Sequence, residues 1–581
     1  MTGRRARWLA ALAIASALLA GCTTIPSSSS PQVVRTMNHG SSAQQPSITP
    51  EPGESPRDIV NGFLAAGTDA SAGHSSSRQF LTTPAARKWQ DTTTIVFDAT
   101  TVSLATFANG VATLSVTGKR VYQIDQTGVL SPVLKNMGLG EKETLSYVVR
   151  QTGGQWRIDQ LPQGVLISIA QFSTSYNKPV NLYFFDAAER RLVADPRYTP
   201  LKGQALADWL LAELVAGPRP ELAQSVVNEV PAQVGKPTVQ LGDPIVVEIP
   251  GSTQLDATAR DHLAAQLAFT IDPFPGTQLE LTDSGRPVRV MEGSEQTFSS
   301  LDYSTEGPGS MTPDSQVHPY YLHDGAVING AGGAPVAGYL GQPDRRLSSV
   351  AFGAGSAGAV QVAGISDGSL LVGNESRLTK VPLPTGELSR PEWRPHAGDV
   401  WVGLGTRGAI YRTTPGQQPK AVSITSLVGT SPVGQVLAVR FSPDGVRLAV
   451  VIQAPSGVGT LWVGSVVTSG DDVQIDSFEP LTPPSLAVTD VAWADATTLL
   501  MVAASPNDAA LMWRMYSDGS NLKSIFDIGL PGPPTAIAAA TGQAALLSAS
   551  DSIWIEGLDF WASYPNSAAP TPGTTSPIYG P

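Results

Sequence analysis

The chain has 581 residues and one cysteine. A single thiol excludes an internal disulfide and any multi-cysteine metal cluster. Charge is also scarce: Asp, Glu, Lys and Arg together make up 15% of the residues, with 37 basic against 49 acidic side chains and a net charge of −12. With no dense Lys/Arg block, the chain is a poor nucleic-acid ligand, and an anionic membrane surface repels its body. No apolar run reaches the ~20 residues needed to span a bilayer. What is abundant is glycine (57) and proline (47), which favours turn-rich β architecture over helical bundles. The hydrophobic fraction of 41% is enough for packed cores, and the length implies two to four domains.

The N-terminus has the form of an export signal over residues 1–21. Arg4, Arg5 and Arg7 precede an apolar run from Trp8 to Ala20, too short to span and right for a secretory core. The run ends Leu19-Ala20-Gly21-Cys22, which looks like a lipobox. Small residues at 20 and 21 let an extended backbone enter a peptidase cleft. Cys22 is then the expected lipidation site, as S-diacylglycerol cysteine and N-palmitoyl cysteine. Two or more acyl chains anchor stably where one binds reversibly. The expected location is the extracytoplasmic face of the cell membrane. Residues 22–56 read as a flexible tether: Thr23–Pro56 holds six prolines and eight serines, too little apolar surface to order itself. As a coil it spans roughly 30–35 Å.

Three folded domains are expected beyond it. Over 57–175, two short helices precede a run of strands that ends in the hairpin signal Tyr147–Arg150, Thr152-Gly153-Gly154, Trp156–Ile158. Helices followed by a curved antiparallel sheet resemble the NTF2-like α+β cone. Asp58, Asp98 and Asp159 read there as cap or surface residues, not as an acid/base set. Over 177–290, the strand "NLYFFD", a helix from Gly203 to Ala216 stopped by Gly217-Pro218, and a helix over 256–270 resemble an α/β GerM-type (GerMN) domain. That family brings no established active site.

Residues 297–561 are repetitive. Val350–Gly353, Pro391–Arg394, Val439–Ser442 and Val491–Ala494 align, with a degenerate fifth copy at Ile537–Ala540. The aromatic position falls at Phe352, Trp393, Phe441 and Trp493, and each copy runs turn, strand, turn, strand, most clearly in "VRFSPDGVRLAVVIQAPSGVGTLWVGSVV". A period of 40–50 residues built from short strands marks β-propeller blades, because each blade exposes a face only its neighbours cover. Five to seven blades are expected, one built on His318–Ile328. The last segment, 562–581, carries five prolines and is expected to be disordered.

Several motifs imitate chemistry. Gly364-Ile365-Ser366-Asp367-Gly368 matches a nucleophile elbow, but the sequence after it reads as strand where the elbow needs a helix. Gly353–Gly358 and Gly403–Gly408 match a dinucleotide fingerprint and fail the same test. His318 and His323 are spaced for neither one helix face nor one strand face. The Asp-Gly pairs 324–325, 367–368, 444–445 and 518–519 lack the aspartate density of calcium loops. No nucleophile–base pair or paired carboxylates stand in a credible setting. The expectation is therefore no enzyme: no catalytic residue, no metal and no cofactor.

Lipobox, tether, NTF2-like segment, GerM-type segment and propeller in this order resemble the actinobacterial lipoprotein LpqB family over essentially the whole chain. The resemblance implies a non-enzymatic accessory of a two-component system. Its partner would be the extracytoplasmic domain of an MtrB-type sensor histidine kinase, with effects on envelope homeostasis and division. The competing expectation is a binder of an envelope ligand such as peptidoglycan or polysaccharide.

Overall fold

The computed structural model describes residues 48–580 except 136–137, 177, 233–234, 272–277, 291–295, 309–316, 355–358, 406, 427–432 and 565–573. The signal segment, Cys22 and most of the tether lie outside the described residues.

The first domain opens with helix Pro56–Ala66. Its start is written in the chain: Pro56 takes the first helical position, and Ser55 and Asp58 form a reciprocal capping box. So Asp58 is a cap. The helix buries Ile59, Val60, Phe63 and Ala66 on one face, against a sheet in the order 155–160, 141–152, 111–124, 94–102, 165–168. The hairpin at Gly153-Gly154 has both glycines at positive φ (58° and 78°), the turn that matches strand twist. Strand Val165–Ser168 pairs parallel with Thr94–Phe97. Trp89 donates from Nε1 to the Gly164 carbonyl at 3.1 Å and meets Phe63 edge-on at 5.3 Å, tying helix side to sheet edge. Asp98 is exposed beside a bulge, and Asp159 accepts from Thr82 and pairs with Arg150.

The second domain has two small sheets and two 14-residue helices, Gly203–Ala216 and Ala257–Thr270. Asp256 caps the latter by accepting from the Ala259 amide at 2.9 Å. One expected boundary moves. Thr297–Phe298 pairs with Leu279–Glu280, and Phe298 and Tyr303 lie in this domain's core. The segment therefore belongs here, not to the propeller. Its aromatic rings fill the helix–sheet core, a requirement invisible to the blade repeat.

From His318 on, six sheets follow one another. The leading strands touch in a circuit: 347–354 meets 392–393, and 435–441, 487–493, 534–538 and 574–580 follow in turn, the last returning to 347–354. This is β-propeller packing. Phe352, Trp393, Phe441 and Trp493 all sit on leading strands. Trp393 donates from Nε1 to Ala351 O (3.2 Å), and Trp493 donates to Arg440 O (3.1 Å). Both indoles thus bridge to the residue just before the preceding sheet's aromatic. Gly353 has no Cβ because the Trp393 ring lies where one would stand, 2.5 Å away.

The expectation of a disordered 562–581 is corrected for 562–564 and 574–580, while 565–573 and 581 lie outside the described residues. Trp561–Tyr564 and Thr574–Gly580 are strands, and the latter pairs antiparallel with His318–His323. Pro577 is tolerated because it lies at a bulge between the Tyr320 and Leu322 pairings, where no ladder donor is required.

Candidate site at the three-domain junction

Strand Leu192–Arg197 is buried at every residue, although it carries two charges. Asp195 and Arg197 are 0% and 2% exposed. Arg197 grips Asp195 through Nε (3.1 Å) and Nη2 (2.7 Å). Arg219 adds a bond from Nε to Asp195 Oδ1 at 2.7 Å, and its backbone N–H donates to Oδ2 at 2.9 Å. Burial alone would raise the Asp195 pKa, but the Arg219 and Arg197 guanidiniums outweigh it and hold the carboxyl down at about 2.

The same strand ties all three domains. Arg197 Nη1 donates to Thr127 O of the first domain at 2.8 Å, and the Tyr198 N–H donates to Gly128 O at 2.8 Å. On the propeller side, Arg447 Nη2 donates to Ala194 O, and the Tyr198 hydroxyl meets Ser520 Oγ at 2.6 Å. Val193, Leu222 and Val446 form a small apolar cluster across the same boundary.

Beside this knot lies a cavity of about 300 Å³ lined by all three domains, including Arg219, Glu221, Arg447, Ser465, Glu479 and Asp518. Arg447 Nη1, Ser465 Oγ, Glu221 Oε2 and Asp518 Oδ2 are buried there without a protein hydrogen-bond partner. Glu479 is pushed up to about 7 by burial, with Glu221 adding to the rise and Arg219 opposing it. The cavity thus offers both donors and acceptors, and its charge changes near neutral pH. A second cavity of about 310 Å³ lies in the first domain, where Arg57 is the one charged lining residue.

The imitative motifs take structural roles. Asp367 and Gly368 form a two-residue hairpin turn between Ser366 and Ser369, not an elbow. Gly403 and Gly405 belong to a strand and the turn after it. Asp444 accepts from Ser442 Oγ and the Val446 amide, which makes it a turn brace. His318 and His323 stand at opposite ends of one strand, and His323 meets Thr574 at 3.1 Å. Reading the sequence missed Asp195, Arg197, Arg219, Arg447 and Glu479. The available signal was "VADPR", charges alternating inside an otherwise apolar strand.

No helix among the described residues is long and apolar enough to cross a membrane. Two family models match: the N-terminal domain of lipoprotein LpqB over residues 49–173, and the LpqB β-propeller domain over 326–577. Lipoprotein LpqB of Rhodococcus jostii is 28% identical over 565 residues, covering 90% of this chain and 89% of the relative. That of Mycobacterium tuberculosis is 26% identical, covering 97% and 98%. With both domain models in family order and relatives aligned along nearly their full length, the chain belongs to the LpqB lipoprotein family.

Proposed function

We propose that this protein acts by binding: lipidated at Cys22 and held on the outer face of the cell membrane, it engages the extracytoplasmic domain of an MtrB-type sensor histidine kinase and biases its signalling state. In this reading the first domain is an NTF2-like cone, the second is GerM-type, and the propeller closes with six blades. The protein is not an enzyme.

One observation supports the reading most. Phe526, Ile528, Leu558 and Phe560 are 56–100% exposed and are gathered around one tryptophan. The Trp561 N–H donates to Ile528 O (2.8 Å), and its Nε1 donates to Phe526 O (3.0 Å). Single exposed apolar residues are ordinary; four together mark a contact surface. Asp527 and Asp559 are interleaved and exposed, so the surface suits a partner that is apolar with a basic rim. A binder shifts a partner only through unequal affinity for its states, and ~1–3 kcal/mol suffices for a several-fold change. Anchoring both proteins in one membrane raises their effective concentration.

The test is binding of the purified mature protein to the kinase ectodomain, with response-regulator phosphorylation compared in cells carrying anchored or Cys22→Ser forms. Binding that weakens with Phe526→Ser plus Phe560→Ser, and regulation that needs the anchor, are expected. Absence of binding together with unchanged signalling on deletion would favour the second reading, an envelope ligand seated in the polar junction cavity.

A further inference from the structure

The second domain brings together three metal-capable side chains that no role described so far uses. Glu189, Glu229 and His262 each offer one ligand atom, and these atoms lie within 4.8 Å of one another. The His262 Nδ1 atom is 3.4 Å from Glu229 Oε1 and 3.9 Å from Glu189 Oε2. Both distances are too long for good hydrogen bonds, which fall at about 2.7–3.2 Å. They approach the separation of two ligands on one ion: bonds of about 2.0–2.2 Å in a tetrahedron place ligand atoms roughly 3.3–3.6 Å apart.

The three groups come from separate elements, and each is braced. Glu189 sits in the turn after strand Val180–Asp186 at φ +54°. Its amide donates to Asp186 O at 2.8 Å, and Asp186 Oδ1 accepts from the amides of Arg190 and Arg191. His262 lies on helix Ala257–Thr270 with its ring against Phe185, centroids 4.5 Å apart. One turn further along that helix, buried Gln266 accepts from the Glu229 amide at 2.9 Å and donates to Asn228 at 2.7 Å. Asn228 in turn donates to Leu214 O. A single helix face therefore presents the imidazole and fixes the backbone that carries the facing carboxylate.

The charges around Glu229 differ from those around the buried aspartates elsewhere in the chain. Asp195 is met by two arginines, and Asp490 by Arg390 and Arg440. Around Glu229 the acting charges are His262, Glu189 and Asp256, with no guanidinium or ammonium among them. Glu229 Oε1 is buried without a hydrogen-bond partner, and burial raises its pKa.

We propose that Glu189, Glu229 and His262 form a binding site for a divalent transition-metal ion, zinc first. A neutral imidazole protonated on Nε2 leaves the Nδ1 lone pair for the ion. One nitrogen and two carboxylate oxygens suit Zn²⁺ over the all-oxygen preference of Ca²⁺ and Mg²⁺. Three protein ligands leave a fourth position for water or an incoming donor. The ion would clamp turn, segment and helix together in the domain between the other two.

The experiment uses the full mature chain in detergent, untagged so that no engineered histidines compete, and stripped with chelator. Isothermal titration with zinc chloride should show one equivalent bound and a raised Tm. His262→Ala and Glu229→Gln should each weaken binding at least about tenfold. Glu189→Gln changes an exposed side chain, so it spares the fold and should still weaken zinc binding several-fold. Cobalt in place of zinc should show visible bands of low coordination number, lost in the same variants. Absence of one-equivalent binding overturns the proposal. Binding unchanged in Glu189→Gln and Glu229→Gln overturns it equally, because the zinc then sits elsewhere.

Discussion

The tryptophan contacts between propeller sheets and the knot joining the three domains are both buried, yet they are held by opposite means. At a seam, Trp393 or Trp493 covers apolar neighbours and spends its one polar group on a carbonyl of the adjacent sheet. At the knot, Asp195 is held by Arg197 and Arg219, and Arg447 reaches across from the propeller. Apolar burial is non-directional and degrades gradually when trimmed. A buried charge set is stable only when complete, because each removal strands the remaining charges. The tryptophan contacts therefore tolerate variation that the knot does not, whereas the ion pairs of Asp490 with Arg390 and Arg440, also between propeller sheets, follow the knot's rule.

The largest effect is expected from Asp195→Ala, which takes from the Arg197 and Arg219 guanidiniums the buried carboxylate they share and leaves Arg197 only Glu213 at 3.9 Å. Loss of about 3–5 kcal/mol in chemical denaturation is expected. Replacing Asp195, Arg197 and Arg219 together by apolar residues should cost less than Asp195→Ala alone, and a larger cost would break the comparison. Next comes Glu479→Gln. The Glu479 pKa is raised in the folded protein to about 7, so the stability it contributes at low pH is lost as pH rises from about 4.5 through 7. The variant should remove that slope and gain up to about 3 kcal/mol above pH 7. Asp195, held at about 2, has the opposite sign: its contribution is lost as pH falls below about 4. Tm measured across pH separates the two. Trp493→Phe keeps most of the burial and removes the bond to Arg440 O, for a smaller loss of about 1–2 kcal/mol. Phe526→Ser touches neither region, and its stability change should stay within about 0.5 kcal/mol, while the proposed binding to a kinase ectodomain should fall.

The two regions also differ in how far they could be read from the chain. The seam aromatics recur at a fixed place in each copy, so their equivalence was visible in one dimension. The helices at 203–216 and 257–270 were equally plain, because Gly217-Pro218 stops one and Asp256 caps the other. The hairpin at Gly153-Gly154 announced itself by its glycines. By contrast, strand Val165–Ser168 and the 574–580 strand exist only through pairing with distant partners, and proline content pointed the other way for the second. Asp195, Arg219 and Arg447 meet across 252 positions of chain, from 195 to 447, and no local pattern links them. His262 was equally silent, since a lone histidine on a helix carries no sign of the carboxylates that face it.

The pairing of Thr574–Gly580 with His318–His323 has a kinetic consequence. The two strands are joined by a contact 251 residues apart in sequence, so a very long loop must close before the last sheet gains any of its stability. Contacts of such separation slow folding. Until residues 574–580 are in place, the His318 edge stays open. An interval with an open sheet edge invites pairing with another chain. Deletion of residues 574–581 should make that interval permanent, and aggregation or proteolysis should follow even though every other sheet retains its own strands.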